Sequence, residues 1–363
     1  MKYPILFCVL LCGLNLPAQT VITTYTPGVS AEGAAYYLPK TAINVSITTE
    51  KTTYTPGELC HYADRYLRIT GISNKEDIYH TIQSVRLSAE GVPDETKLYH
   101  ILFAPNTVAP LVSLTESGVL QAINVASSTD APKNENALPI SSPGKELSVR
   151  SYMTEEMLMA GSKAKLAELV AKEIYSIRES KNAIVRGQNE YMPKDSEALR
   201  IILSNLEEQE LAFTQLFIGT TSTEVTTQTY QIIPEGTVEK TIFGRFSRKL
   251  GLLHGDDLAG APLYIEVKCK QAIPEPSSEA LAMIGAGKSK KTKNANLQDG
   301  LVYNLPGKAD IKIYANSQLL SEGSFAMAQF GRTETLSSTL LVKKKDIKIV
   351  LSPVTGALLS VQE

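Results

Sequence analysis

Thr154 to Gly219 reads TEEMLMAGSKAKLAELVAKEIYSIRESKNAIVRGQNEYMPKDSEALRIILSNLEEQELAFTQLFIG, a long run whose apolar residues recur at helical rather than alternating spacing. Sequence rich in β-branched residues lies on both sides of it, so the stretch predicts a helical hairpin set between two β regions. The Thr154 hydroxyl can accept from free backbone N–H groups, and Glu155 and Glu156 place negative charge where a helix N-terminus is partially positive. Leu166, Leu169, Val170, Ile174 and Ile177 then keep to one face beside a stripe of Ala160, Ala164, Ala167 and Ala171, and the pattern fades after Arg178. Small residues in register let a neighbour approach closely, which predicts a helix packed on two sides. Gly187 and Pro193 interrupt it; Asp195 caps a second helix with Glu197 in its first turn, and Leu199, Ile202, Leu203, Leu206, Phe213 and Leu216 form its stripe up to Gly219. Glu207, Glu208 and Glu210 are expected on the solvated face, which accounts for them without a metal or acid/base site.

Ahead of this, Lys2 and the apolar run Ile5 to Leu16, followed by Pro17, Ala18 and Gln19, form the n-region, h-region and cleavage pattern of a secretory signal. The signal is assigned to residues 1–18, so the mature chain starts at Gln19 and the protein is expected in the periplasm or at the cell surface. Lipidation of Cys12 competes poorly, because Leu11 stands where lipoprotein processing wants a small residue. The apolar run is shorter than the ~20 residues of a membrane span, and no later stretch is apolar enough for one. Net charge is −2 with 36 basic and 38 acidic residues dispersed along the chain, which excludes the electrostatic footprint of a nucleic-acid binder. There are 16 Tyr and no Trp, which weighs against Trp-platform sugar binding and leaves Tyr stacking open.

Residues 19–150 read as an N-terminal β region, 151–220 as the helical hairpin and 221–363 as a C-terminal β region with a mobile loop at about 273–299. The fold expected is α+β, with sandwich-like antiparallel sheets, because runs of strands and of helices are segregated. Thr-Thr-Tyr-Thr-Pro-Gly occurs at Thr23 to Gly28 and again at Thr52 to Gly57, which reads as a strand entering a type II turn used twice. Leu59, Tyr62, Ala63, Tyr66 and Leu67 have the spacing of a short helix. Short strands are expected around Val85 and Ile101, and a hairpin from Val112–Thr115 and Val119–Ile123 turning at Ser117-Gly118. Ser127 to Gly144 is polar and Pro-rich, a linker. Val225 to Ile233 and Val238 to Phe243 are expected to pair across Pro234–Gly236, and further strands at Leu263–Lys270, Val302, Ile311–Tyr314, Phe325–Phe330 and Ile347–Leu351.

Few groups carry chemistry. His254 with Asp256 and Asp257 is the best acid/base grouping, since a carboxylate can orient an imidazole, and Glu266 is a candidate fourth member; a Gly-rich polar turn explains the His254–Asp257 group more simply. His80 and His100 each follow a Tyr in an apolar β run and would be neighbours if those runs paired, yet two ligands do not complete a zinc site. Gly285-Ala286-Gly287-Lys288-Ser289 resembles the end of a phosphate loop, but Ala282 stands where the first Gly belongs and no strand precedes it. Cys60 and Cys269 survive processing and both point toward cores; they are either bridged across some two hundred residues or separately buried thiols. No cofactor is indicated.

Several stretches together carry a resemblance: Tyr37-Leu38-Pro39-Lys40-Thr41, Tyr54-Thr55-Pro56-Gly57, Tyr62-Ala63-Asp64-Arg65-Tyr66-Leu67, Met192-Pro193-Lys194-Asp195, Leu216-Phe217-Ile218-Gly219, Arg245-Phe246-Ser247, Asp256-Asp257-Leu258-Ala259-Gly260 and Ala328-Gln329-Phe330-Gly331. In combination the chain resembles a family of exported Bacteroidetes proteins known as a domain of unknown function. The resemblance spans nearly all the mature chain and implies a cell-envelope protein; it brings no activity, catalytic residue or cofactor. The reading is therefore a non-catalytic module that binds or organises protein or glycan, with a hydrolase centred on His254, Asp256 and Asp257 as the alternative.

Overall fold

The computed structural model describes residues 21–24, 33–102, 111–125, 149–188, 195–274, 297–298, 300–337 and 347–362. The fold is α+β, built from three antiparallel sheets and a small helical module. Strands β1 (Val21–Thr24), β2 (Gly33–Thr55) and β3 (Asp77–Leu102) combine with β6 (Thr220–Ile232) and β10 (Leu297–Gln298) in a first sheet of order β10-β1-β3-β2-β6. A second sheet has the order β12-β11-β9-β7-β8, from β7 (Val238–Ser247), β8 (Gly251–Leu253), β9 (Ala261–Gln271), β11 (Gly300–Ala315) and β12 (Gln318–Ser337). The third, of order β14-β13-β5-β4, joins β4 (Val112–Leu114) and β5 (Leu120–Ile123) to β13 (Lys348–Leu351) and β14 (Leu358–Gln362). The two β regions of the sequence are thus interleaved in space: the first and third sheets each draw strands from both.

The first and second sheets face each other. Ile43, Val45 and Ile47 of β2 alternate with outward residues and pack on Leu263, Ile265 and Val267 of β9, Ile311 and Ile313 of β11 and Met327 of β12, all buried. A second core lies where the other end of β2 meets the third sheet, around Tyr36, Leu38, Ile101, Leu120, Val302 and Ile349. The Tyr36 hydroxyl, fully enclosed there, donates to Val302 O and accepts from Val302 N, both at 3.3 Å. Burial drives its pKa well above the ordinary tyrosine range, only partly opposed by the bond to Val302. A group that ionises less readily folded than unfolded leaves stability intact below pH ~10 and drains it as pH rises further. Alkaline denaturation is accordingly expected to steepen above that pH, and Tyr36→Phe to flatten it while costing about 1–2 kcal/mol at neutral pH through the orphaned Val302 N–H; equal alkaline slopes in both proteins would contradict this.

The helical module also departs from expectation in its joints. Thr154 caps as predicted, accepting from Met157 N, but the helix it starts, α2 (Glu155–Leu158), is a single turn. Ser162 caps a new helix, α3 (Lys163–Val185), which runs beyond Arg178. Asp195 caps α4 (Ser196–Ile218) by accepting from Glu197 N, and Gly219 ends it at φ 81°. Before these, a 3-10 turn at Cys60–Tyr62 and α1 (Ala63–Leu67) supply the expected short helix. Leu59, Ala63, Leu67, Ile174, Ile177, Phe213 and Phe217 close the module's core. Glu210 does not face outward: Arg178 Nε lies 2.6 Å and Lys181 Nζ 3.0 Å from its carboxylate, so α3 and α4 are joined by an ion cluster. Burial alone would raise this carboxyl, but the two cations hold it below the usual glutamate range.

Two pairings differ from the sequence reading. β6 pairs with β2 and β7 with β8 and β9, so Val225–Ile233 and Val238–Phe243 belong to different sheets and Pro234–Gly236 is a crossing between layers. The regions around Val85 and Ile101 are parts of one strand, β3, and β2 is nearly as long, about 75 Å at extended rise.

Candidate functional site

The loop His254–Gly260 joins β8 to β9 at the rim of the second sheet. Its shape is set from below: Arg245 Nε donates to Gly255 O at 2.8 Å and Arg245 Nη1 to Gly260 O at 3.1 Å, while Asp257 Oδ1 accepts from Ala259 N at 2.9 Å. Arg245-Phe246-Ser247 and Asp256–Gly260, separate in sequence, are two halves of one brace. His254 Nδ1 sits 3.2 Å from Asp256 Oδ2, so the imidazole and carboxylate do meet, but their side chains are 84% and 93% exposed. In bulk water such a contact gains little, and side chains this exposed are not walled in by the described residues. Asp257 is turned to the loop backbone. Glu266 belongs to another neighbourhood, in β9: Lys268 lies 2.7 Å from its carboxylate and Tyr314 donates to it at 3.1 Å, and these contacts, the lysine's foremost, hold its pKa low. An open depression occurs instead on the helical module, bordered by Glu155, Glu156, Met159, Lys165 and Leu169.

The other stretches that carry the resemblance are also joints. Thr41, fully buried in β2, donates from Oγ1 to Val354 O and accepts there from Ala328 N at 3.0 Å. Gln329 grips the same residue through its amide: Oε1 accepts from Thr41 N at 3.0 Å, and Nε2 donates to Thr41 O at 2.8 Å and to Pro234 O at 2.9 Å. Beside them the buried Asn304 donates to Pro39 O and Thr355 O. One polar knot therefore ties β2, β11, β12, the layer crossing and the turn before β14. A Cβ at Gly91 would lie 1.9 Å from Pro353 O, so that turn reaches the β2–β3 ladder only because β3 carries glycine there.

At the far end of β2 the helical module docks. Leu59 N donates to Leu216 O at 2.7 Å, and the Tyr54 hydroxyl is 3.0 Å from Ile218 O and from Ser73 O. Gly57 is absent from the left-handed glycines, contrary to the type II turn expected of Pro56-Gly57; it is needed because a Cβ would stand 2.2 Å from Leu216 O. Tyr54–Gly57 and Leu216–Gly219 are again two sides of one contact.

His80 and His100 both lie in β3, twenty residues apart along one strand, about 65 Å at extended rise, so they are not neighbours, and no metal-binding cluster occurs among the described residues. The phosphate-loop-like Gly285–Ser289, the linker Ser127–Gly144, Met192–Lys194 and most of the 273–299 segment lie outside the described residues. Cys60 and Cys269 are free, half-buried thiols: the first opens the 3-10 turn of the helical module, the second sits opposite Ala309 within the second sheet. Alkylation of the unreduced, denatured protein is thus expected to label both, and a linked peptide pair in non-reducing mapping would overturn it.

One surface escaped the sequence reading. Val225–Ile233 was expected as one arm of a hairpin, yet β6 is exposed on both faces from Thr220 to Thr229. The readable sign was that Glu224, Thr226 and Gln228 on one phase are polar and that the other, Thr223, Val225, Thr227 and Thr229, carries a single apolar residue. Compared with known proteins, residues 32–359 match a family model described as Domain of unknown function (DUF4831). No curated protein and no solved structure matches the chain.

Proposed function

We propose, from the premise that the chain belongs to the family described as Domain of unknown function (DUF4831), that it is an exported, non-catalytic protein of the bacterial cell envelope that binds or organises another protein or a glycan. The observation that carries this reading is where the stretches that carry the resemblance go. Arg245 braces Gly255 and Gly260, Gln329 holds Thr41 and Pro234, and Gly57 meets Leu216: each of these residues joins elements rather than facing a pocket. A rigid frame of this kind presents surfaces. On the helical module Leu158, Met159, Val185 and Ile201 are more than half exposed, the type of side chain that protein contacts use. Export rests on Lys2 and the apolar run to Leu16; among the described residues no helix is long and apolar enough to cross a membrane.

The hydrolase alternative has one observation in its favour, the His254–Asp256 contact. Both readings meet in one experiment: the exported protein is used as bait in the native envelope, and wild type and His254→Ala are assayed beside it against esters, peptides and glycosides. A reproducible partner, retained equally by both proteins, is the expected result. Hydrolysis that disappears with His254 would overturn the proposal, as would repeated failure to recover any partner.

A further inference from the structure

We infer that the outer edge of β6 is a self-association surface, on which a second copy of this chain adds its own β6 antiparallel to the first. β6 ends the first sheet; it pairs with β2 on one side, and among the described residues no strand pairs its other side. Free strand edges are usually blunted by lysine, proline, bulges or brevity. β6 has none of these protections. It runs thirteen residues against β2 with no register shift, contains no Pro or Lys, and carries Glu224 as its one charge, which Lys51 meets at 3.5 Å. The contrast is β12, the end strand of the second sheet, whose ladder breaks twice and which carries Glu322, Arg332 and Glu334.

The chemistry of the strand favours its own kind. Six of its residues are Thr and one is Ser, and the side already paired shows how such a strand is matched: Thr229 bonds Ser46 hydroxyl to hydroxyl at 2.9 Å, and Thr227 bonds Thr48 at 3.0 Å. A partner strand therefore needs to be extended, β-branched, hydroxyl-rich and nearly uncharged, which describes β6 itself. An antiparallel pair centred on Thr226 would use the whole strand. It sets Thr223 opposite Thr229 and Glu224 opposite Gln228, so the two glutamates are not opposed and the two-fold contact is self-complementary. Thirteen paired residues exchange about as many backbone hydrogen bonds, which is within the ten or so of an ordinary protein interface. This surface is independent of the proposed binding role and would hold whether or not an envelope partner exists.

Sedimentation of the exported protein tests it, from dilute solution to concentrations on the order of 100 μM. Reversible dimerisation is expected. Thr226→Lys and Thr226→Glu, each at an exposed edge position where charge is tolerated, put like charges face to face at the two-fold axis and should each weaken association about tenfold or more. An equimolar mixture of the two variants should recover it, which also shows that both are folded. A protein that stays monomeric throughout, a dimer indifferent to both substitutions, or a mixture that does not recover would each overturn the inference; a monomer that captures a different protein on this edge counts among these.

Discussion

Phe217→Ala is expected to cost about 3–5 kcal/mol, the range for removing a fully enclosed aromatic from a core that cannot collapse around the gap. Phe217 has no exposed surface, and with Phe213 one turn earlier it fills the space between α4, α3 and the Leu59–Leu67 segment. Relief by collapse is limited, because its neighbours Leu216 and Ile218 are pinned through their carbonyls by Leu59 N and the Tyr54 hydroxyl. Urea titration at neutral pH checks the size of the loss. Ile201→Ala, at a half-exposed position on the same helix, should remain within about 0.5 kcal/mol of wild type. A Phe217→Ala loss no larger than that of Ile201→Ala would mean that the helical module contributes little to the cooperative unit.

Gln329→Leu is expected to cost about 2–5 kcal/mol, although shape and volume are nearly kept. The amide makes three bonds, and its loss leaves Thr41 N–H, Thr41 C=O and Pro234 C=O without their partner beside the fully buried Thr41; each such group costs about 1–3 kcal/mol when buried. Gln329→Glu separates hydrogen bonding from packing. Its carboxylate would face two carbonyl oxygens, so its pKa is raised in the folded state; the stability of that variant should be greatest in acid and fall as pH rises past the ordinary glutamate range. A Gln329→Glu protein with a flat profile from pH 4 to 7 (roughly, the window set by a carboxyl raised from its usual value) would sink the idea that the amide is a donor to both carbonyls.

Local signals were legible, and distant ones were not. Thr154 and Asp195 cap where their side-chain oxygens predict, because a cap is decided within four residues. Inward phases at Leu263, Ile265 and Val267 were likewise readable from alternation. The length of β2 and β3 was hidden by Pro39 and Pro93, which look like breaks. They sit opposite each other beside a bulge, in the part of β2 that β6 does not reach, so a missing N–H there spoils no second ladder. Strand partners had no local signal at all: β6 follows a helix and precedes the turn signal Pro234-Glu235-Gly236, as a hairpin arm would, yet Gln329 holds that segment as a crossing. At the candidate site the sequence placed His254 beside Asp256 correctly, but exposure depends on what lies above a loop, and neighbours in sequence do not reveal that. The stretches that carry the resemblance were visible one by one; that Thr41 and Gln329, 288 positions apart, form one contact was not.

The interleaving of strands has a consequence for how such a chain is made. Ile43, Val45 and Ile47 emerge early, but the surfaces that cover them, from Leu263 to Met327, follow more than two hundred residues later. β4 and β5 wait longer still, for β13 beyond residue 347. During synthesis from the N-terminus the first half of the protein is therefore a long sticky hairpin with nothing to close on, and loop closure over such separations is slow. Holding factors that bind nascent apolar strands are expected to matter more to its yield than to its final stability, and a truncation at the end of the helices should aggregate rather than fold as a half-sized domain.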